Sequence, residues 1–339
     1  MRYPWANTLL LVLVCAELTT GMLGLMTGTP DLAEFMLAHR VLGYSLMAVI
    51  AWKAAIILQA LRRPRANSTR SASVVLLAIL VVTLSLGLAW SLAGPFFFAG
   101  FSGLSWHAYV GAQLVPLMAW HALKYTRGFP LAFWADRRTF LRFASGSIAG
   151  FVLWQAVEAP VNFLRSGTRK RFTGSYEDDP GESKFPVVSW LNDRTPSIDA
   201  DRWRLAVSGA VRHERSLGYA DISPDVTLTA TIDCTGGWYS TQEWRGMPVS
   251  RILDAASPLP SARSVTFTSA TGYYRRFSLD EARHFLLATH VSGEPLSPGH
   301  GFPVRLVAPG KRGFEWVKWV VRIDVNESSR WLQPPLPLQ

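Results

Sequence analysis

Four stretches of this chain stay almost free of charge over the length of a membrane crossing, and they decide how its first half can fold. A helix crossing a hydrocarbon core needs roughly 20 apolar residues, and residues 5–27, 38–61, 72–93 and 106–123 meet that length. A fifth run, residues 143–157, is also uncharged. At about 15 residues it is short for a span and within the range of a signal-peptide apolar region. From residue 161 onward charges, prolines and short alternating segments take over. The 339 residues therefore read as two unlike halves, a helical bundle in lipid and a polar domain.

Basic residues set the expected orientation. Arg62, Arg63, Arg65 and Arg70 crowd the second connection, and Lys124, Arg127, Arg137, Arg138 and Arg142 crowd the fourth, while the first and third are nearly free of them. Positive loops stay in the cytoplasm, so the N-terminus is expected inside and, if the fifth run spans, the polar half outside. The stretch Arg137-Arg138-Thr139-Phe140-Leu141-Arg142 resembles the twin-arginine export signal, here internal, and that route moves folded domains. The net charge of +10 is thereby assigned to membrane orientation. A lipid bilayer is the expected partner and nucleic acid is not.

Segments two and four align without a gap, HRVLGYSLMAVIAWK at residues 39–53 and HAYVGAQLVPLMAWH at 107–121. The ends of each copy lie about 21 Å apart along a helix and point within about 40° of the same direction. Ionisable side chains in membrane spans are costly and mark functional sites, and neutral imidazole is the usual axial ligand of a b-type haem. His39 and His107 are expected at one level near the outer face, with Gly43 and Gly111 one turn along leaving room for a flat macrocycle. Lys53 stands opposite His121 at the inner level. This pattern resembles the four-helix membrane cytochromes b, in which two helices each carry two histidines so spaced. The resemblance implies haem b with His39 and His107 on the iron, and His121 as a further cofactor contact. With lysine at position 53, the inner level is not expected to complete a second haem. The alternative is that these histidines are interfacial.

In the polar half, residues 161–185 read as a linker rich in Gly, Ser, Thr and charge. Short β-like runs follow at 203–211, 226–232, 264–268, 304–307 and 316–325, with helical stretches around 248–256 and 279–288. Such mixing without strict alternation predicts an α+β domain. No Gly-rich phosphate loop of the nucleotide type is present in the sequence. Cys15 and Cys234 cannot build a disulfide framework and lack the spacing of a zinc site, so Cys234 invites a single-ligand or catalytic reading.

Three blocks in order carry a family resemblance: IDCTGGWYSTQEWRGMPVSRIL at 232–253, VTFTSATGYYRRFSLDEA at 265–282, and GEPLSPGHGFPVRLVAPGKRGFEWVKWVVRIDV at 293–325. Together they resemble the molybdopterin-dependent oxidoreductases related to sulfite oxidase and to the periplasmic methionine sulfoxide reductase. The resemblance implies that Cys234 is a thiolate ligand of molybdenum and that Tyr273 is an active-site tyrosine. It places His300, Gly301, Arg305 and Lys318 in the pterin-contacting stretch, where Arg305 and Lys318 suit the terminal phosphate and Gly301 and Gly313 let backbone come close. Arg245, Arg275 and Arg276 are candidates to attract an oxyanion. The polar half is expected to lack the immunoglobulin-like domain of true sulfite oxidases, and the short CTGGWYSTQEW segment is more similar to the methionine sulfoxide reductase type.

The fold expected is an all-α transmembrane bundle of four or five helices followed by an α+β molybdopterin-binding domain. Its parts are a cytochrome b-like bundle over 1–130, a twin-arginine-like motif with the fifth segment over 131–160, a linker over 161–185, and the oxidoreductase domain over 186–339. The function expected is oxygen-atom and two-electron transfer on a small molecule outside the cytoplasmic membrane. Electrons are exchanged through haem b with quinone or another membrane carrier. S- or N-oxide reduction and sulfite-type oxidation both remain open, as does a haem-binding scaffold with a degenerate, cofactor-free domain.

Overall fold

The computed structural model describes residues 4–61, 68–125, 137–164, 169–178, 185–190 and 193–338. Arg62, Arg63, Arg65 and Arg127 of the basic connections lie outside the described residues. The chain divides into two compact units, the first Met1–Leu25 with Thr29–Tyr176 and the second Met26–Gly28 with Glu177–Gln339.

Helices dominate the first unit: Pro4–Met26 (α1), Ala33–Leu61 (α2) and Ser68–Ala93 (α3), then a hairpin of Phe97–Phe98 (β1) and Phe101–Ser102 (β2). The fourth apolar segment, expected as one span, is broken. Gly103–Ala112 (α4) stops at Gln113 and Leu114–Tyr125 (α5) begins after it. Pro116 has no N–H to give and its ring crowds the carbonyl one turn earlier, so the ladder cannot run straight through. Conversely, the fifth run is longer than its apolar stretch implied, forming part of the 28-residue helix Arg137–Leu164 (α6). Among the described residues, four helices are long and apolar enough to cross a membrane by length and composition: Trp5–Met26, Pro30–Ala54, Ala72–Ala93 and Arg137–Leu164.

Leu9, Leu13 and Val14 of α1 bury against Leu46 and Val49 of α2. Where α6 meets α2, a Cβ on Gly150 would lie 1.9 Å from Ser45 Oγ, so the two backbones approach only because hydrogen stands there. Two turns on, the buried carboxylate of Glu158 takes hydrogen bonds from Tyr44 Oη at 3.4 Å and Trp154 Nε1 at 3.0 Å, with Arg40 at 3.9 Å. Left unpartnered, that group would be expensive to bury. Part of the expected linker is built into this unit. Tyr176 donates its hydroxyl to Trp90 O at 2.9 Å and Trp90 Nε1 donates to Gly174 O at 2.8 Å, ahead of the short strand Tyr176–Glu177 (β3).

The second unit runs Arg204–Gly209 (β4), Arg215–Gly218 (β5), Val226–Asp233 (β6), Trp238–Pro248 (β7), Val249–Ala256 (α7), Ser264–Ser269 (β8), Tyr274–Ser278 (β9), Leu279–Arg283 (α8), Leu286–Val291 (β10), Glu294–Pro295 (β11), Arg305–Val307 (β12) and Val320–Asn326 (β13). One sheet has the order β5-β4-β13-β8-β9, with β4 and β13 parallel. In the other, β7 pairs with β6 and β10, and β10 pairs with β11 and β12. Ser240, Gln242 and Trp244 of β7 are buried while Thr241, Glu243 and Arg245 are exposed, the two-residue alternation of a half-covered strand.

The helix expected over 279–288 ends at Arg283, and β10 follows. Leu286, Leu287, Ala288 and Thr289 are all buried because neighbouring strands and both faces cover them. A continuous apolar run of that kind carries no period to distinguish strand from helix. At its crossing with β7 only glycine fits, since a Cβ on Gly246 would lie 2.0 Å from Leu287 O. Likewise the strand expected over 316–325 begins at Val320, after Trp319 turns the chain at φ +52°.

Ser278 caps α8, its Oγ accepting from Glu281 N at 3.3 Å while the Glu281 carboxylate accepts from Ser278 N at 3.1 Å. Lys311 and Arg330 reach the same carboxylate at 2.6 Å. Burial raises the pKa of Glu281, but the bonds from Lys311 and Ser278 outweigh it and hold the group at about 2. This folded value lies below the unfolded one of about 4.3, so the stabilisation is complete above pH ~4.3 and is lost as pH falls through about 2. Glu281→Gln should therefore lower the unfolding midpoint of the second unit at neutral pH and flatten its decline in that acid window. Denaturant titrations at stepped pH check it, and an unchanged acid slope would contradict the assignment.

Candidate functional site

Cys234 follows the last residue of β6 in the turn to β7. Its N–H donates to Trp238 O at 2.9 Å and its carbonyl accepts from Gly237 N at 3.1 Å, a turn that Gly237 closes at φ +91°. The half-buried thiol accepts from Gly236 N at 3.3 Å. Burial pushes that thiol up, and the Gly236 N–H and the Arg312 charge pull it back. Behind it runs the Gly313 backbone, so close that a Cβ on Gly313 would sit 3.2 Å from Cys234 Cα.

The turn is held by a pair the sequence reading missed. Asp233 and Arg312, each 1% exposed, meet at 2.5 Å, and Arg312 Nη2 also donates to Cys234 O at 3.3 Å. Both residues lie inside the quoted blocks, one beside Cys234 and one beside Gly313, but nothing local in the sequence says that they meet.

Two further cations converge on the same place. Arg305 is buried beneath the faces of Trp244 at 5.4 Å, Phe185 at 5.8 Å and Trp316 at 5.9 Å. Its Nη1 donates to His300 O at 3.1 Å, and its Nε has no hydrogen-bond partner among the described residues. Burial lowers its pKa to about 9, with Cys234 pulling the other way. Lys318 donates to Gly299 O at 2.7 Å; burial first, then repulsion by Arg305, brings it to about 7. Gly301, at φ +113°, brings these two together, since a Cβ there would lie 3.0 Å from Arg305 Cβ and 3.3 Å from Lys318 Cβ.

His300 serves this turn with both ring nitrogens. Nε2 faces Phe185 O at 2.8 Å and must donate, which leaves Nδ1 to accept from Ser297 Oγ at 2.9 Å. Burial lowers its pKa, so the ring stays neutral.

Tyr273 is buried, and its hydroxyl donates to Phe314 O, one residue beyond the glycine that touches Cys234. Burial, more than its charged neighbours, pushes its pKa up. The three arginines considered for an oxyanion do not gather. Arg275 is buried on Pro334 O and Pro335 O at 3.3 Å, Arg276 is tied to Thr266 and Ser328, and Arg245 is exposed on β7. The positive field at Cys234 comes instead from Arg305, Arg312 and Lys318.

In the helical unit, α2 and α4 bring the rings of His39 and His107 to a centroid separation of 6.0 Å. His107 Nδ1 donates to Thr83 O at 2.8 Å, and His39 Nδ1 faces Glu17 Oε2 at 2.6 Å. Both rings are thus Nδ1–H tautomers with Nε2 left as the donor atom for a metal. Gly43 and Gly111, expected to leave room for a macrocycle, lie beside the residues that face the two imidazoles. A Cβ on them would meet Glu17 and Thr83, while Gly21 and Gly87 are the glycines that touch His39 and His107. Lys53 gives its ammonium to Asn7 Oδ1. His121 lies on α5, beyond the break at Gln113, so the uninterrupted helical spacing expected between His107 and His121 does not hold.

Residues 192–331 match the family model for the oxidoreductase molybdopterin binding domain. This segment is an oxidoreductase molybdopterin-binding domain. The chain is 28% identical over 213 residues to the inducible NADH nitrate reductase 1 of Glycine max, covering 48% of this chain and 24% of that protein. It is 32% identical over 182 residues to the NADPH nitrate reductase of Mycosarcoma maydis, covering 39% and 18%. The sulfane dehydrogenase SoxCD of Paracoccus pantotrophus shares 27% identity at a TM-score of 0.38, with 40% of each chain covered. The chain thus spans a quarter or less of the length of these two nitrate reductases.

A molybdopterin-binding domain implies a molybdenum cofactor, and the residues present fit one. Cys234 offers a soft thiolate. The Nε of Arg305 and that of Arg312 are both buried without a hydrogen-bond partner among the described residues, but Arg312 is paired with Asp233 whereas Arg305 meets no carboxylate among those residues. Burying a charge without a partner costs several kcal/mol, and an anionic group in this cradle would relieve that cost. Removing one member of the buried pair has the corresponding penalty. Asp233→Ala should destabilise the molybdopterin-binding domain by about 3–5 kcal/mol, read from tryptophan fluorescence during chemical unfolding. Arg202→Ala, which removes an exposed pair with Asp199, should leave the transition in place. Equal effects would contradict the role given to burial.

Proposed function

We propose that this chain is a membrane-bound molybdoenzyme. Its helical unit holds one haem b between His39 and His107, and its molybdopterin-binding domain transfers an oxygen atom and two electrons outside the cytoplasmic membrane. The observation that carries the reading is the cradle at Cys234, where a thiol in a braced turn meets buried Arg305 and Lys318 within the matched domain. Cys234 is the metal ligand, Arg305 and Lys318 receive the cofactor's phosphate, and Gly301 keeps the approach open. When bound, the cofactor supplies the oxygen-atom chemistry, and the protein supplies position and field. His300 fixes the turn that presents Gly301, and Tyr273 acts through the carbonyl of Phe314. The substrate is a small oxygen-atom donor or acceptor, the class to which the nitrate named for two relatives belongs.

Haem is supported by the histidine spacing. Two imidazole–metal bonds of about 2 Å, with about 1 Å from each ring nitrogen to its centroid, sum to about 6 Å, and the rings stand 6.0 Å apart. A haem would supply the remaining four donors from its own macrocycle, with the two imidazoles completing the set. The four long apolar helices support a place in the bilayer, with quinone as the carrier that such helices can reach. With α4 and α5 crossing together as one broken span, Arg137, Arg138 and Arg142 at the start of α6 support a cytoplasmic start for that helix and an external second unit.

Two variants test the assignment reciprocally. Cys234→Ser should abolish dye-coupled turnover and leave the low-spin haem spectrum intact. His39→Ala should remove that spectrum and leave bound molybdenum in place. Full turnover in the first or an unchanged spectrum in the second would overturn the corresponding half of the reading.

A further inference from the structure

The helical unit presents two copies of one socket. On α1, Gly21 lies against His39, and a Cβ there would be 3.0 Å from Cε1; on α3, Gly87 lies against His107, where the distance would be 2.9 Å. One turn before each glycine stands the residue that faces Nδ1, which is Glu17 in the first copy and Thr83 in the second. One turn after each histidine stands a second glycine, Gly43 or Gly111, making space for that residue. A Cβ on Gly43 would be 3.2 Å from Glu17 Oε1, and one on Gly111 would be 3.4 Å from Thr83 Cγ2.

The copies differ in the acceptor. His107 donates to a neutral backbone carbonyl at 2.8 Å, whereas His39 faces a carboxylate at 2.6 Å, with Thr20 Oγ1 at 3.1 Å from the same nitrogen. The Glu17 side chain is 13% exposed, and its second oxygen is buried with no hydrogen-bond partner among the described residues. An acid kept in so apolar a helix has a cost, and the imidazole is what it touches. A charged acceptor bonds roughly twice as strongly as a neutral one, and acceptors behind a ligating histidine raise its basicity.

We propose that Glu17 is a positioning residue that sets the reduction potential of the haem through His39. This rests on the haem reading given above. The carboxylate draws the Nδ1 proton towards itself, makes His39 the more strongly donating axial ligand, and favours the oxidised iron. The bundle thus has one strong and one ordinary axial histidine, and the pull on the metal comes from α1 although the ligand is on α2.

Redox titration of the haem in the full-length protein tests this. Glu17→Gln, nearly isosteric and still an acceptor, should keep the low-spin spectrum and lower the oxidised-to-reduced ratio at fixed potential at least tenfold, an upward shift of about 59 mV or more for one electron. Glu17→Asp, which keeps the charge on a shorter arm, should retain haem with a smaller upward shift. It carries the test by itself if the Gln variant binds none. Thr83→Val leaves the backbone acceptor in place and should not move the potential. An unchanged or lowered potential in Glu17→Gln with haem bound, or loss of haem in Glu17→Asp, would overturn the proposal. Absence of haem from the parent chain, or its survival in His39→Ala, would instead overturn the reading beneath it.

Discussion

The ion pair between Asp233 and Arg312 is the interaction on which the molybdopterin site depends. Both partners are 1% exposed, so neither can exchange the other for water. Through it, the end of β6 is locked to the loop that carries Gly313, and Arg312 takes the Cys234 carbonyl as well. The thiol is therefore presented by a turn fixed on both sides, by its own hydrogen bonds and by the backbone behind it. The same pair settles the electrostatics. With Arg312 compensated, the charges left over are those of Arg305 and Lys318, and an anionic cofactor is what they lack.

Much of this was legible in order and little of it in space. The blocks at 232–253 and 293–325 gave Cys234, Arg305 and Lys318 as candidates because their residue types and sequence were distinctive. Asp233 and Arg312 were passed over because the pair joins residues distant in the chain, and a lone Asp or Arg beside a motif reads as solvated surface. Arg275 went the other way, from candidate oxyanion contact to buried structural cation, for the same reason. The helix expected over 279–288 ran on into the first residues of β10 because burial on both faces erased the strand's alternation. In the helical unit the repeat pointed to His39 and His107, whose rings stand 6.0 Å apart. The glycines that touch the rings, Gly21 and Gly87, were not singled out, since they lie on partner helices. Pro116 marked the break between α4 and α5, and the apolar composition around it concealed that signal.

The two units share a physical logic. In each, the atom that would meet a metal is aimed by a group behind it: the Nδ1 acceptors Glu17 and Thr83 for the imidazoles, and the Asp233–Arg312 pair for the thiol. Ligand identity is carried by a few residues that a sequence exposes. Their orientation and strength come from outer groups, whose contribution appears only once the fold brings them together.

Metal and haem analysis of the intact chain, purified from membranes in detergent, addresses the central claim most directly. A membrane-bound molybdoenzyme with one bis-histidine site should contain one molybdenum and one haem b per chain. Haem without molybdenum would leave a haem-binding membrane scaffold carrying an empty oxidoreductase domain, and molybdenum with no haem, or with two, would contradict the histidine assignment.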